Sequence, residues 1–339
     1  MNNINTFNFI EDIFSKEKKK SRSCMFHDCS ETAIGSHVFS RSHILKPISQ
    51  GTEHNIYQFN QRPLIFLTKD KEEIFCYKLE PIKNAFKFNG FCKKHDNDLF
   101  KLIEPHYGLV NWTKKESQYL LSYRTICREI YANNVVENVM VTISKENNKK
   151  LQLINLFSLE KLLITLQYTR DNLYYYKSLL EKGIIDKDFS NICFKYIELP
   201  FQFDLCVSAP IFIDYGKGPY FNSDYQELNI VNIFPYYGKT IILIGYLQEF
   251  NNQWMNNILS KFKSPYPHIV SSAFVDILYR AEFHAMSPVL YNSLDKDLLE
   301  GFIKTWKKEA NNFSTDIEEV SSLFYSPLNK LMPTSWKNL

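Results

Sequence analysis

Two short pairs of cysteine and histidine residues constrain this 339-residue chain more than any other feature of its sequence. Cys24 and Cys29 form the first pair, and Cys92 and His95 form the second. A short loop brings the two ligands of each pair together at little entropic cost, and a metal ion then joins two distant segments. Two such pairs of soft ligands are typical of a tetrahedral zinc site. We therefore expect these four residues to bind one structural zinc ion.

The spacing leaves alternatives open, because it differs from that of two C-x-x-C knuckles. His27 or Cys76 can substitute for one of the four ligands, and a second interpretation is that ordinary reduced cysteines happen to cluster here. The chain has seven cysteines, an odd number, and its N-terminus lacks the apolar core of a signal peptide. We therefore expect a reducing, cytoplasmic environment in which the thiols bind metal or pack.

The segment between the two pairs carries two motifs. Residues 36–42 read Ser-His-Val-Phe-Ser-Arg-Ser, and residues 92–96 read Cys-Lys-Lys-His-Asp. The first resembles the acid-His-apolar-apolar-Pro-Arg-Ser hairpin of the HNH (His-Me finger) endonucleases. The second is similar to the C-x-x-C-[HN] motif of the same family. The resemblance covers the N-terminal quarter of the chain and implies a zinc-stapled ββα unit.

The resemblance also implies roles for individual residues. His37 matches the general base that activates a water molecule, and Asp96 matches the ligand of a catalytic Mg²⁺ or Mn²⁺ ion. An acid that caps the start of a helix is the alternative interpretation of Asp96. The sequence departs from the family where Ser36 replaces the acid before the base, where no Gly-Gly-x-x-Asn stretch follows, and where the gap before the second pair is long. Because Ser36 supplies no charge, the cation needs another anchor, for which we prefer Glu104 to Asp98.

Positive charge is concentrated near the N-terminus. Residues 1–115 carry 18 lysines and arginines against 13 aspartates and glutamates, although the net charge of the whole chain is only +3. A basic region before a metal site can bind the phosphate backbone of DNA. A solvated linker is the alternative interpretation of the run before Cys24. The candidate phosphate-binding residues are Lys18, Lys19, Lys20, Arg22 and Arg41.

The remainder of the chain predicts an α+β fold: a small zinc-stapled ββα unit at residues 1–115, then a larger domain of helices and antiparallel sheet at residues 116–339. Apolar spacing predicts helices over 116–133 and 159–182, with Gly183 ending the second. Arg124 is expected on a face other than the apolar one, and Arg280, Glu282 and His284 on a charged helix surface. The predicted strands are residues 64–67, 74–77, 192–197, 205–207, 211–213, 228–234 and 240–246. Further helices are predicted to begin at about residues 252, 267 and 294.

Three functions remain compatible with the sequence. The first is a metal-dependent, HNH-like endonuclease that cleaves DNA, with a defence or toxin effector role suggested by one small module on a large body. The second is a catalytically degenerate zinc protein that binds nucleic acid or a protein partner without cutting. In the third, zinc only stabilises the fold. A protein regulator or a second copy of the chain is a further candidate partner, whereas no apolar run approaches the roughly 18 residues of a membrane span.

Overall fold

A computed structural model describes residues 3–60, 76–105, 107–145, 156–213, 227–250, 253–309 and 320–333. The architecture is α+β, as the sequence predicts, and it is built on one large and one small antiparallel sheet. The predicted strand at 64–67 lies outside the described residues, as does most of the one at 74–77.

The large sheet contains seven strands in the order β3-β2-β9-β6-β7-β8-β5, and each neighbouring pair is antiparallel. Tyr237 and Gly238 connect β7 to β8 with φ angles of 49° and 78°. Two consecutive positive φ angles are typical of the tight turn that joins two strands, which confirms the hairpin that the sequence predicts. The strands are β2 (Asn55–Asn60), β3 (Cys76–Pro81), β5 (Cys193–Leu199), β6 (Leu205–Phe212), β7 (Leu228–Tyr236), β8 (Lys239–Tyr246) and β9 (His284–Met286).

Both faces of this sheet are covered, so its central strands bury side chains on both sides. All nine residues of β7 are buried, with Val231 and Ile233 in one hydrophobic core and Ile230 and Phe234 in the other. The first core is closed mainly by helices near the C-terminus and by α1 (Asn3–Lys19). Those C-terminal helices are α6 (Gln253–Phe262), α7 (Pro267–Arg280), α8 (Pro288–Ser293), α9 (Lys296–Glu309) and α10 (Tyr325–Leu331).

Two long helices, α4 (Lys115–Lys145) and α5 (Leu156–Asp186), form an antiparallel pair. The N-terminal half of α4 packs in the second core, whereas Val135, Val139 and Ile143 further along the helix pack in the first. Both helices are longer than predicted, and Gly183 does not end α5. A Cβ atom at Gly183 would lie 2.1 Å from the hydroxyl of Tyr119, so glycine is needed there for close helix packing. The helix ends instead before Lys187, which has a φ of 55°.

The small sheet and the helix that follows it form the ββα unit. It comprises β1 (Ile34–His37), β4 (Lys87–Phe91) and α3 (Lys93–Phe100). The short α2 (Lys46–Ile48) follows a π-helical turn at Arg41–Leu45. Strands β2 and β3 lie between β1 and β4 in sequence, yet they belong to the large sheet, where β3 pairs with β2 and β2 pairs with β9. The division at residue 115 stays a prediction, and the large sheet contains strands from both sides of it.

Two further expectations are corrected by burial. Arg124 was expected away from the apolar face of α4, but this helix is buried on all sides near its N-terminal end, and Arg124 is buried with it. His284 lies on β9 rather than on a helix surface, because α7 ends at Arg280. Among the described residues, no helix is both long and apolar enough to cross a membrane.

Candidate metal centre and active site

The four predicted metal ligands converge at one end of the ββα unit. The thiol and imidazole atoms of Cys24, Cys29, Cys92 and His95, here called the metal cluster, all lie within 4.8 Å of one another. His95 Nδ1 is 3.4 Å from both Cys24 Sγ and Cys92 Sγ, and Cys29 Sγ is 3.9 Å from Cys92 Sγ. A tetrahedral zinc site with ordinary bond lengths requires edges of roughly 3.5–3.8 Å. The donor atoms and their spacing therefore fit a tetrahedral metal ion such as zinc.

Backbone hydrogen bonds hold the first pair of ligands in place. The Cys29 N–H donates to the Phe26 carbonyl (3.2 Å), and Asp28 adopts a positive φ of 51° that tightens the loop. The Met25 N–H donates to the Gly90 carbonyl (2.7 Å), which joins this loop to β4. The loop at residues 24–29 is therefore joined to the second pair by a backbone hydrogen bond as well as by the metal ligands.

The second pair lies where β4 gives way to α3. Cys92 is the N-cap of α3, and its Sγ accepts the backbone N–H of His95 at 3.5 Å. Burial would raise the pKa of Cys92, but the N–H groups of His95 and Lys94 lower it. Burial raises the pKa of Cys24 to about 11. The helix N-terminus therefore favours a thiolate at Cys92, which is the form that binds metal.

The two alternative ligands, His27 and Cys76, differ in what the structure describes, and His27 is not part of the metal cluster. The imidazole of His27 is exposed, and its Nε2 atom lies 3.0 Å from the carboxylate of Asp28. Cys76 begins β3, and its side chain is outside the described part of the chain.

His37 is placed at the end of β1 with its ring fixed by the backbone. Its Nε2 atom is 3.1 Å from the Lys83 carbonyl oxygen, so Nε2 carries the hydrogen and Nδ1 keeps the lone pair. Burial lowers the pKa of His37 to about 4, with further lowering by Arg41 and Lys87. Lys87 is paired with His37 across the small sheet, and its side chain lies over Gly35. His37 is therefore an uncharged imidazole whose pKa is lowered by burial and by the charges of Arg41 and Lys87.

Asp96 and Glu104 are brought together by a residue of α4. Arg124 donates from Nη1 to Glu104 Oε1 (2.7 Å) and from Nη2 to Asp96 Oδ1 (3.3 Å), and these three residues are called the Arg124 cluster. Burial raises the pKa of Asp96, although Arg124 and the Ser36 hydroxyl oppose the increase. Glu104 also acts on His37, whose pKa it raises. The three candidate catalytic residues thus belong to one electrostatic neighbourhood, with Arg124 inside it.

This arrangement does not fit a second, catalytic cation at Asp96 and Glu104. Both carboxylates are already paired with one fully buried guanidinium, which offsets one of their two negative charges and occupies the space between them. Among the described residues, the metal cluster is the only group of three or more cysteine, histidine or acidic side chains close enough to hold an ion.

The candidate phosphate-binding residues are divided between two places. Lys18 and Lys19 lie in the last turn of α1 rather than in a linker, and Lys20 pairs with the buried Glu17 at 2.5 Å. Arg22 also binds Glu17 (2.9 Å) and stacks over Tyr131, so its charge is largely compensated. Arg41 instead lies exposed beside His37.

Sequence reasoning missed Arg124, Lys83 and Lys87. The carbonyl of Lys83 carries no residue-specific signal, and Lys87 is recognised only through the pairing of β1 with β4. Arg124 lies on a helix whose other buried side chains are mainly apolar, and its charge alone suggests exposure.

Comparison of the chain with protein-family models, with curated proteins and with solved structures finds no significant match.

Proposed function

We propose that this protein is an HNH-like endonuclease that hydrolyses phosphodiester bonds in DNA, with zinc in the metal cluster and His37 as the general base. The observation that carries the proposal is the environment of His37. Its ring is uncharged, its Nε2–H is held by the Lys83 carbonyl, and two cations lie beside it. A role as a defence or toxin effector belongs to the same proposal and rests on architecture alone.

In the proposed reaction, His37 Nδ1 takes a proton from water as the water oxygen bonds to phosphorus, and Nε2 keeps its hydrogen bond to Lys83. The P–O bond on the opposite side breaks, and the leaving oxygen takes a proton from solvent. A ring held in one tautomer presents its lone pair in a constant direction, which is what proton transfer to a base requires. Arg41 and Lys87 would bind the nonbridging oxygens of the phosphodiester, since guanidinium and ammonium groups both pair with phosphate.

A pKa of about 4 makes His37 a weak base at neutral pH in the free protein. Arg41 and Lys87 contribute to this low value, and a bound phosphodiester would offset their charge. The proposal therefore includes a rise in the pKa of His37 when DNA binds, which brings the base closer to its working range.

Zinc has a structural role in the proposal. Three thiolates and one imidazole complete a closed tetrahedral site, which leaves no position for water or substrate. The ion would fix the start of α3 against the loop at residues 24–29, and thereby orient β1 and β4, which carry His37 and Lys87.

A second candidate function is binding of nucleic acid without cleavage. It is favoured by the Arg124 cluster, since Asp96 and Glu104 are both engaged and Ser36 brings no charge. A cation that stabilises the leaving oxygen normally contributes strongly to phosphodiester hydrolysis. Without one, the surface beside His37 would hold a phosphate but hydrolyse it slowly.

The test uses the full-length, zinc-loaded protein with supercoiled plasmid and with single- and double-stranded oligonucleotides, in the presence of Mg²⁺ or Mn²⁺. We expect nicking by the wild type and a loss of at least about 100-fold in His37→Ala, the lower range for a general base. His43→Ala, six residues away, is the matched control and should cut like the wild type. Binding by both proteins with no cleavage by either supports the second candidate. Equal cleavage by His37→Ala contradicts the proposed base.

A further inference from the structure

A cavity of about 630 Å³ lies where the ββα unit meets α1, α4 and the strand pair β2–β3. Volumes of roughly 300–1,000 Å³ are typical of small-molecule and cofactor sites. Of the described residues that line this cavity, only Lys87 takes part in the reaction proposed above. The cavity is therefore large enough for a ligand, and most of its walls have no role in that reaction.

Aromatic side chains form part of the wall. Phe59 and Phe88 are almost completely buried, whereas Tyr131 is half-buried and keeps part of its ring accessible. Arg22 lies 4.9 Å over the Tyr131 ring but does not line the cavity, so its guanidinium and the cavity lie on different sides of this residue. An accessible aromatic ring in a concave site is a surface on which a nucleobase can stack.

Three side-chain amides line the same cavity. Gln58, Asn84 and Asn89 have no side-chain hydrogen bond to any of the described residues. Each amide offers both donors and an acceptor, which is the combination that the polar edge of a base requires. Glu11 and Glu80 also line the cavity, and carboxylates accept hydrogen bonds from the amino groups of bases.

The cavity adjoins the proposed general base through one residue. Lys87 lines the cavity and is the partner of His37 across the small sheet. A turn places Asn84 next to it, because the Lys87 N–H donates to the Asn84 carbonyl (3.3 Å) and Phe86 between them has a φ of 55°. A phenylalanine rarely adopts this conformation, and its ring contact with Phe39 at 5.0 Å helps to hold it. The turn thus fixes an amide group and an ammonium group at one cavity.

We propose that this cavity binds an unpaired nucleotide, with its base stacked on Tyr131 and hydrogen-bonded to the amides, and with its phosphate at Lys87. Lys18, a candidate phosphate-binding residue, lines the same cavity. A nucleotide inside a duplex does not fit, because pairing and stacking already occupy its base.

The nucleotide can come from two sources, a free mononucleotide or a single strand of nucleic acid. In a single strand, a base in the cavity would place its phosphate beside His37, so single-stranded DNA would be the preferred substrate. This consequence rests on the function proposed above, whereas the nucleotide site does not.

The test measures binding to the zinc-loaded, full-length protein without added Mg²⁺ or Mn²⁺, so that DNA is bound but not cut. The probes are deoxyadenosine monophosphate, followed by calorimetry, and a fluorescein-labelled oligonucleotide, alone and in a duplex, followed by anisotropy. In Tyr131→Leu and in Ala132→Phe we expect the affinity for the single strand to fall at least about tenfold, as the loss of one stacked base predicts. Their affinity for the duplex should not change.

The two variants act in different ways. Tyr131→Leu removes the stacking surface, whereas Ala132→Phe removes no contact and fills space in the cavity wall. Tyr196→Leu is the matched control, because Tyr196 is a half-buried tyrosine on the edge strand β5 and should bind both probes like the wild type. The proposal is overturned if Tyr131→Leu and Ala132→Phe retain zinc and their circular dichroism spectra but bind the single strand and the mononucleotide like the wild type.

Hydrogen exchange of the wild type decides the case in which neither variant folds. Protection of residues 84–89 and 128–136 by the mononucleotide or by the single strand supports the proposal, and unchanged exchange there overturns it. Competition between the two probes assigns one site to both sources. A mononucleotide that the strand does not displace assigns the site to free nucleotides, and the proposed site still stands.

The outcome is separable from the proposed function. Binding of the single strand that depends on Tyr131, without cleavage of DNA, supports the nucleotide site and counts against the nuclease. Cleavage that requires His37 but is the same in Tyr131→Leu and Ala132→Phe as in the wild type does the reverse.

Discussion

The ββα unit and the seven-stranded sheet are stabilised by different means. The sheet is covered on both faces, and every residue of β7 is buried. The ββα unit has two strands of four and five residues and one helix of eight, too little surface to form an independent core. Its Phe88, Phe91 and Phe100 pack against α4 in the second core, and the metal cluster and polar contacts from α4 and α5 add to this packing. The comparison teaches that the small unit adds an ion site to its apolar packing, whereas the described strands of the large sheet contain no such site.

Loss of a metal ligand should reveal the difference in stability between the two regions most clearly. In Cys92→Ser we expect the zinc content to fall from about one equivalent to well below half, because the thiolate is lost and metal binding is coupled to folding in small sites. Hydrogen exchange should then increase by orders of magnitude in residues 24–40 and 87–100. Strands β7 and β8 should keep their protection, since apolar packing holds them.

Cys193→Ser is the matched control for this experiment, because Cys193 is a half-buried cysteine on β5 outside the metal cluster. It should retain zinc and the exchange pattern of the wild type. If β7 and β8 lose protection together with the ββα unit in Cys92→Ser, the two regions are not stabilised separately.

Glu181 of α5 provides a second, smaller way to weaken the ββα region. Its Oε1 atom accepts the backbone N–H of His27 (3.0 Å) and the hydroxyl of Tyr123 (2.5 Å), and Lys177 pairs with the same carboxylate (2.8 Å). In Glu181→Gln we expect a loss of about 2–3 kcal/mol, because charged hydrogen bonds are lost while Lys177 stays buried.

Urea denaturation measures this loss in the free energy of unfolding. Hydrogen exchange of residues 24–29 then shows whether the loss is localised to the loop. Glu198→Gln is the matched control, since Glu198 pairs with Lys239 at the exposed edge of the sheet and should change stability by less than about 1 kcal/mol. A similar loss in both variants would show that the contact of Glu181 with the loop has no special role.

The parts of this molecule that sequence could predict follow from local patterns. Ligand spacing located the metal cluster, and Tyr237-Gly238 located a turn whose φ angles favour glycine. These features depend on residues close together in the chain, or on chemistry that few side chains share. The α+β class followed likewise from the shift between helical and alternating apolar spacing.

Contacts between distant elements could not be predicted in this way. Arg124 reaches carboxylates 20 and 28 residues away, and nothing around it in sequence distinguishes it from an arginine on an exposed helix face. His284 is buried and donates from Nδ1 to the Ala281 carbonyl while its Nε2 accepts the Tyr77 hydroxyl, 207 residues distant. Such partners become visible only when the sheet order is known.

The smallest expected effect concerns the charge around His37, where the ββα unit carries cations that the sheet interior lacks. Because folding lowers its pKa from 6.5 to about 4, the unfolded chain binds a proton that the folded chain does not between these pH values. Stability therefore falls as the pH drops through this window.

In Arg41→Gln/Lys87→Gln we expect the pKa of His37 to rise by roughly 0.5–1 unit, since burial, the largest cause, remains. An NMR titration of the His37 ring measures the change, with Lys263→Gln/Lys296→Gln as a control that removes two remote exposed lysines. An unchanged pKa in the first variant would mean that neither cation acts on the ring, and the proposed coupling between phosphate binding and the base would fail with it.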